Sequence, residues 1–431
     1  MLGTALALLI ALLAVSVPVA AVMGVLGLAL NQIYASMPLY RAMGDIIWNS
    51  SAEYILIAIP MFVMLGEILL RAGIAERVYN AIAKWLTWLP GGLMHANIGT
   101  CAMFAATSGS SVATAATVGV VALPQVKVRG YDESLFLGTL AAGGTLGILI
   151  PPSINFILYG LLTSTSVPRL YLAGMVPGML LMLFFMLIIL TYCLIDPAKG
   201  GTRIQTTWIE RFSALKDLVA PMFIFFVVVG SIYAGWATPT EAASMGVFAA
   251  LILAAWERAL SWKMLRAVFE GTMRTTALIM LIIIAAQFLN FVLASIGLTD
   301  GVGKAIESLG LGKYGTMLLI VVFYLILGCF METISMMILT TPFIFPIVTG
   351  LGWDPIWWGI VLTILIEAAL VTPPVGLNLY VVQGLRERGT IGDVIKGALP
   401  FVIAMLGLVG LLMSLPDLAL WLPNTVMGKG S

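Results

Sequence analysis

Apolar runs long enough to cross a bilayer recur along the chain, and short polar or Gly/Pro interruptions decide what each run becomes. A span needs about 20 apolar residues. Residues 2–30 come first, broken at Pro18, and read as one kinked span or two short segments. Residues 50–70 predict a span. Residues 71–92 mix Arg71, Glu76, Arg77, Lys84, Trp85 and Trp88 into an apolar background, the pattern of an amphipathic helix lying at the interface. Residues 93–123 are apolar but cut at Ser108-Gly109-Ser110-Ser111. Backbone groups cannot stay unpaired in lipid, so a break there must be buried in protein or line a cavity. The stretch therefore predicts a re-entrant hairpin. Residues 133–162 form a span broken at Pro151-Pro152, and 170–195 a continuous one. A polar linker at 196–217 precedes spans at 218–236 and 239–256, and a polar stretch follows at 257–274. Then come a span at 275–296, a mixed segment at 297–313 and a second hairpin over 315–345, broken near Glu332. A span at 356–384 is broken at Pro373-Pro374, and the last is 398–420.

The interruptions repeat. A shift of 222 residues carries Pro124 onto Pro346, Asp132 onto Asp354 and Pro151-Pro152 onto Pro373-Pro374. The same shift carries Met23-Gly24-Val25 onto Met245-Gly246-Val247. Landmarks in step over that distance mark a duplication, here with one repeat over 1–217 and another over 218–431. Apolar segments interrupted by Gly and Pro at matching places are the sequence sign of a secondary transporter.

Charge orients the two copies. If each hairpin returns to its own side, sixteen of the 21 Lys and Arg fall on one face, among them Arg71, Lys127, Lys199, Arg274 and Arg386. Arg41, Arg169, Lys304, Lys313 and Lys429 fall on the other. Cytoplasmic loops are enriched in Lys and Arg, so the first hairpin enters from the cytoplasm and the second from outside. The repeats are inverted. The expected fold is an all-α polytopic membrane protein with two re-entrant hairpins and two discontinuous helices.

Composition agrees and narrows the chemistry. Of 431 residues, 61% are hydrophobic and 10% charged, against about 25% charged in soluble domains. A net charge of +1 gives no reason to expect nucleic acid. Cys101, Cys193 and Cys329 form no CxxC pair and read as small buried hydrophobes rather than metal ligands. The first thirty residues lack a basic leader region and read as a retained membrane segment. There is no complete GxxxxGK[ST] phosphate loop, so uphill transport would draw on an ion gradient. His95 alone builds no HExxH site and reads as structural.

The break residues are Ser, Thr, Asn, Gly and Pro. Their hydroxyls, amides and freed carbonyls are hard oxygen ligands suited to Na⁺. Ser108, Ser110 and Ser111 are expected to face an unwound strip between Gly147 and Ile150. Thr333 with Thr340-Thr341 is expected to face Leu370 to Thr372. Two copies suggest two related cation sites. Half-helices starting at the hairpin tips and after Pro152 and Pro374 aim positive N-terminal ends at the midplane, where an anion can sit. Substrate contacts are expected around Ser108, Gly109, Pro152, Asn155, Pro374, Gly376 and Asn378. Glu67, Glu241, Glu332 and Glu367 are acids at membrane depth and functional candidates. Glu332 reads equally as ligand or helix cap, and Glu241 fits a cap.

These motifs resemble the large membrane subunit of tripartite ATP-independent periplasmic (TRAP) transporters. The resemblance rests on Ser108-Gly109-Ser110-Ser111 with Ala113, Arg129-Gly130-Tyr131-Asp132, Ile150-Pro151-Pro152-Ser153, Thr238-Pro239-Thr240-Glu241-Ala242-Ala243 and Thr372-Pro373-Pro374-Val375-Gly376-Leu377-Asn378. It implies a sodium-driven importer of organic acids in the bacterial inner membrane, not an enzyme. It implies an elevator motion, two or more Na⁺ ions, a periplasmic substrate-binding protein and a small membrane subunit of about four helices. It maps the ion region onto Ser108, Ser110 and Ser111 with residues 147–151. The second copy maps onto Glu332, Thr333 and Thr341 with residues 370–373. Relatives in that family carry Asp at the positions of Thr114 and Glu332; Thr114 leaves the first hairpin without an acid and favours sodium there. Two other readings compete: a stand-alone sodium/dicarboxylate symporter without a binding protein, and an anion channel.

Overall fold

The computed structural model describes residues 1–15, 17–108, 110–202, 205–386 and 388–428, with backbone only at 2, 105–108, 299, 300, 305 and 307. Among the described residues it is helical throughout, with no strand beyond one isolated bridge between Tyr131 and Gly200. The first part runs α1 (Leu2–Ala14), α2 (Val19–Tyr34), α3 (Met43–Ser51), α4 (Tyr54–Arg71), α5 (Ile74–Leu86), α6 (Gly92–Ser108) and α7 (Ser111–Ala122). It continues with α8 (Pro124–Arg129), α9 (Glu133–Leu149), α10 (Ile154–Thr163) and α11 (Val167–Ile195). The second runs α12 (Trp208–Tyr233), α13 (Pro239–Trp256), α14 (Trp262–Ser295), α15 (Leu298–Ser308), α16 (Gly312–Leu327) and α17 (Thr333–Gly350). It ends with α18 (Pro355–Leu370), α19 (Leu377–Gly384), α20 (Ile391–Ser414) and α21 (Asp417–Met427). Among the described residues, seven helices are long and apolar enough to cross a membrane: α4, α11, α12, α13, α14, α17 and α20. The α9–α10 pair passes the same test together, bent by 46°. This is a multi-pass membrane protein.

The paired landmarks of the sequence become paired helix starts. Asp132 accepts the Leu135 N–H at 2.8 Å to cap α9. Asp354 accepts those of Ile356 and Trp357 at 2.7 and 3.1 Å to cap α18. Gly130 and Gly352 supply the positive φ (67° and 77°) that ends the preceding helix. Each Asp thus closes a Gly-turn-Asp unit that stops one helix and starts the next.

Pro18 stands at the N-cap of α2, so of the two readings of residues 2–30 the structure has the two separate helices. Several boundaries differ from expectation, each for a local reason. The 50–70 run begins at Tyr54, because α3 ends separately at Ser51. The polar linker is shorter than composition suggests, because Thr207 and Glu210 form a capping box that starts α12 at Trp208. The polar 257–274 stretch is largely helix, because Ser261 caps α14 by accepting from Met264 N at 3.2 Å. The run 398–420 ends as a helix at Ser414, two residues before Pro416. Finally, α9 is helical through Leu149 and α18 through Leu370. The unwound strips are therefore 150–153 and 371–376, later than the 147–150 and 370–372 read from sequence.

Every residue of 135–149 in α9 and of 356–370 in α18 is buried. A helix apolar and buried all round belongs at the centre, and these two pack on each other. Helix α20 closes on α9 at Gly138 and Gly397. A Cβ on Gly138 would stand 2.0 Å from the Gly397 carbonyl oxygen, and one on Gly397 would stand 1.8 Å from that of Ser134. Only backbone-to-backbone contact is possible there. Contacts are also reciprocal. Helix α2 packs on α14 while α13 packs on α4, and α7 packs on α19 while α17 packs on α10. Each partner in one pair lies about 222 residues from its counterpart in the other.

Candidate functional site

Helix α6 ends at Ser108 and α7 starts at Ser111, while α16 and α17 are joined by residues 328–332. The second helix of each pair starts with a capping oxygen. Ser110 Oγ accepts from Ala113 N at 3.3 Å. Glu332 does more: Oε1 accepts from Ser335 N at 2.7 Å and Ser335 Oγ at 2.6 Å, and Oε2 from Ile334 N at 3.1 Å. A carboxylate at a helix N-terminus is also favoured by the helix dipole. Glu332 thus caps α17, and it also lines the cavity at that helix start.

Both starts open onto one cavity of about 180 Å³. Its polar lining comes from Glu67, Ser110, Ser111, Asn155, Thr275, Glu332 and Thr333, and Phe104 and Ile148 belong to its apolar wall. Asn155, the second residue of α10, is 1% exposed, and its Nδ2 has no hydrogen-bond partner. Glu67 pairs with Arg71 at 2.9 Å. Its carboxylate lies where a Cβ on Gly271 of α14 would stand, under 3 Å away. Sequence reasoning flagged Glu67 but placed Arg71 in an interfacial helix. The signal was their i,i+4 spacing, which sets the two side chains on one helical face.

Beside the cavity, α7 meets α18 and α19. Ser111 Oγ donates to Glu367 Oε2 at 2.7 Å, and Asn378 Nδ2 donates to Ser111 Oγ at 2.9 Å and to the Ala141 carbonyl at 3.2 Å. The three side chains are 2%, 1% and 0% exposed. Ser111 therefore faces Glu367 and Asn378, not the strip before Pro151.

The remaining expected positions divide. Gly147 lies against the first tip: a Cβ there would stand 3.4 Å from the Ser110 carbonyl oxygen and 3.2 Å from Thr114 Oγ1. Ile150 faces Gly178 of α11 instead. In the second copy, the 328–332 connection packs on the end of α18, with Cys329 Sγ 4.0 Å from the Pro373 carbonyl oxygen. Leu370 and Gly376 are buried, and a Cβ on Gly376 would stand 2.9 Å from the Leu370 oxygen. Pro152 is buried and Pro374 exposed. Thr372 Oγ1 donates to the Ala368 carbonyl at 2.6 Å. Thr341, eight residues past Thr333, sits about 12 Å along α17 and donates to the Met337 carbonyl at 2.6 Å. It is not gathered with Glu332 and Thr333. Thr340 Oγ1 bonds the Tyr324 hydroxyl at 2.6 Å. Glu241 is exposed, in a capping box with Thr238, not a buried acid. The Ser108 side chain and Gly109 lie outside the described residues. His95 Nε2 bonds the Pro90 carbonyl at 2.9 Å.

A family model described as "Tripartite ATP-independent periplasmic transporter, DctM component" matches residues 6–418. The chain belongs to the DctM family. Among its relatives, the C4-dicarboxylate TRAP transporter large permease protein DctM of Vibrio cholerae is 32% identical, over 98% of this chain and 97% of the relative. The ectoine TRAP transporter large permease protein TeaC of Halomonas elongata is 30% identical, over 85% of this chain and 86% of the relative. The DctM-family chain also shares its fold with the YdaH transporter of Alcanivorax borkumensis, a crystal structure described as having an unusual topology. That TM-score is 0.63 at 16% identity, covering 96% of this chain and 97% of the other. DctM-family permeases work with a small membrane subunit and a substrate-binding protein; the relatives are permeases rather than enzymes.

Proposed function

We propose that the chain is the large subunit of a sodium-driven importer that carries a carboxylate-containing organic acid across the bacterial inner membrane. The observation that supports this best is the convergence of both hairpin starts and the α10 start on one cavity. The α7 and α17 starts are capped by Ser110 and Glu332, whereas α10 has no side-chain cap and keeps its first N–H groups for an anion. No Lys, Arg or His lines that cavity, so an entering carboxylate relies on those N–H groups and on co-transported cations. Ser110 with its carbonyl beside Gly147, and Thr333 at the second tip, are the oxygen sources proposed for two or more Na⁺ ions. The names of relatives that mention C4-dicarboxylate and ectoine support a small organic acid as cargo.

In this reading α6–α7 and α16–α17 are re-entrant hairpins entering from opposite faces, and the repeats are inverted. The buried α9–α18 pair and the hairpins then slide as one body against α4 and α14, an elevator motion. A periplasmic binding protein delivers the acid, and a small four-helix subunit braces the scaffold. The experiment is uptake into proteoliposomes holding the large and small subunits. Uptake requiring both an inward sodium gradient and the binding protein is expected. Uptake with no binding protein would favour a stand-alone symporter, and flux indifferent to sodium would favour a channel.

A further inference from the structure

The crossing bonded through Ser111, Glu367 and Asn378, which leaves Glu367 Oε1 and Asn378 Oδ1 unmet among the described residues, has a twin that lacks those bonds. Ser111 begins α7 and Thr333, 222 residues on, begins α17. Glu367 in α18 has Thr145 in α9 at the same interval. Asn378 and Asn155 are each the second residue of the half-helix behind a Pro-Pro break. The packing repeats as well, α7 on α19 and α17 on α10.

In the bonded crossing a hydroxyl donates to a carboxylate that the protein itself supplies. In the twin that carboxylate is missing. Thr145 is two carbons shorter in reach than a glutamate and turns its hydroxyl to the Ala142 carbonyl at 2.6 Å. Thr333 makes no side-chain hydrogen bond among the described residues, and Asn155 Nδ2 is a buried donor without an acceptor. Both residues line the cavity. A buried donor left unmet is destabilising, and here the missing acceptor corresponds to the Glu367 carboxylate.

We propose that the two crossings have divided the work. Ser111, Glu367 and Asn378 form a fixed latch, with Glu367 as a positioning residue that ties the first hairpin to the second broken helix. Thr333 and Asn155 form the ligand-receiving crossing. There the carboxylate of the transported acid takes the place that Glu367 fills in the latch, accepting from the Thr333 hydroxyl and the Asn155 amide. The assignment rests on the proposed function only in taking the cargo to be a carboxylate.

Acetate, the smallest stable probe of that chemistry after formate, tests it without knowledge of the cargo. The full chain is purified in detergent, and its unfolding midpoint is compared in sodium acetate and sodium chloride at equal sodium. Acetate is expected to raise the wild-type midpoint, and N155A and T333V to lose the rise. T349A, a hydroxyl removed at the far end of α17, is expected to keep it. T145E, which tethers a carboxylate at the ligand-receiving crossing, is expected to be insensitive to acetate. E367A is expected to gain a second, larger acetate response as free carboxylate fills the latch. No rise in the wild type, or an undiminished rise in both N155A and T333V, overturns the proposal; if T145E does not fold, those two variants still decide. Uptake indifferent to sodium would sink the proposed function while leaving the acetate comparison intact.

Discussion

Glu332 shows how much a single side chain carries at a helix start. Its two oxygens meet two backbone N–H groups and one hydroxyl, in the one turn of α17 that has no helical acceptors of its own. Glu332→Ala is expected to lower stability by roughly 1–2 kcal/mol, read as a lower unfolding midpoint, with Glu332→Gln falling between. The glycine pair Gly138 and Gly397 sets a harsher limit. A Cβ at either would meet backbone oxygen at 2.0 or 1.8 Å, and backbone cannot rotate aside as a side chain can. Gly138→Ala and Gly397→Ala are each expected to leave little monodisperse protein after detergent extraction, checked by gel filtration. At this scale the sequence disclosed what is local. Asp132 and Asp354 announced themselves by recurring after Gly, and Glu332 by sitting at a tip. The Ser111–Glu367 bond joins residues 256 apart, and no spacing rule reaches that far. Ser111 was legible as a tip residue and Glu367 as an acid at depth, but their pairing was not.

At the scale of elements, hydropathy found the spans but misplaced their polar ends. Residues 208–217 and 262–274 look like linkers because they are charged. They are helix because Thr207 and Ser261 cap them and nothing after those caps interrupts the backbone bonds. The broken helices were legible from Pro-Pro, whereas the unwound residues lie after the positions first read, since Gly147 and Leu370 still complete their last turns. Gly in a buried helix served close packing there rather than unwinding. The hairpin starts carry the functional prediction at this scale. In Ser110→Ala combined with Thr333→Ala, the two proposed oxygen ligands are lost while Glu332 still caps α17. Sodium for half-maximal uptake is expected to rise at least about tenfold, on the order of 1.4 kcal/mol, while the subunits still co-purify. Unchanged sodium dependence in the double variant would remove these residues from the ion site.

The whole molecule is two halves that hold one another. Because α2 grips α14 while α13 grips α4, neither half closes its apolar faces alone. The proposed inversion makes a direct statement about sidedness. Val128, beyond the first hairpin, and Leu309, before the second, are 78% and 56% exposed. Val128→Cys is expected to react with an impermeant maleimide only from the cytoplasmic side, and Leu309→Cys only from the periplasmic side. Reaction of both from one side would end the inverted arrangement. Cys101 and Cys193 are buried, and changing Cys329 to Ser gives a low background. Lys and Arg placement is what motivates the proposed orientation, and the maleimide experiment tests it. The mutual grip was not legible, because it depends on which apolar faces meet, and apolar faces look alike in sequence.

Helix α14 runs unbroken for 34 residues, about 51 Å at 1.5 Å per residue, whereas the hydrocarbon layer is about 30 Å deep. A rod that long must lean or stand proud of the lipid, and its Lys263, Arg266 and Arg274 keep the basic end among headgroups. Its inclination then follows the thickness of the surrounding membrane. Since α14 also contributes Thr275 and Ile279 to the cavity wall, lipids with longer or shorter tails would tune turnover without touching the cargo.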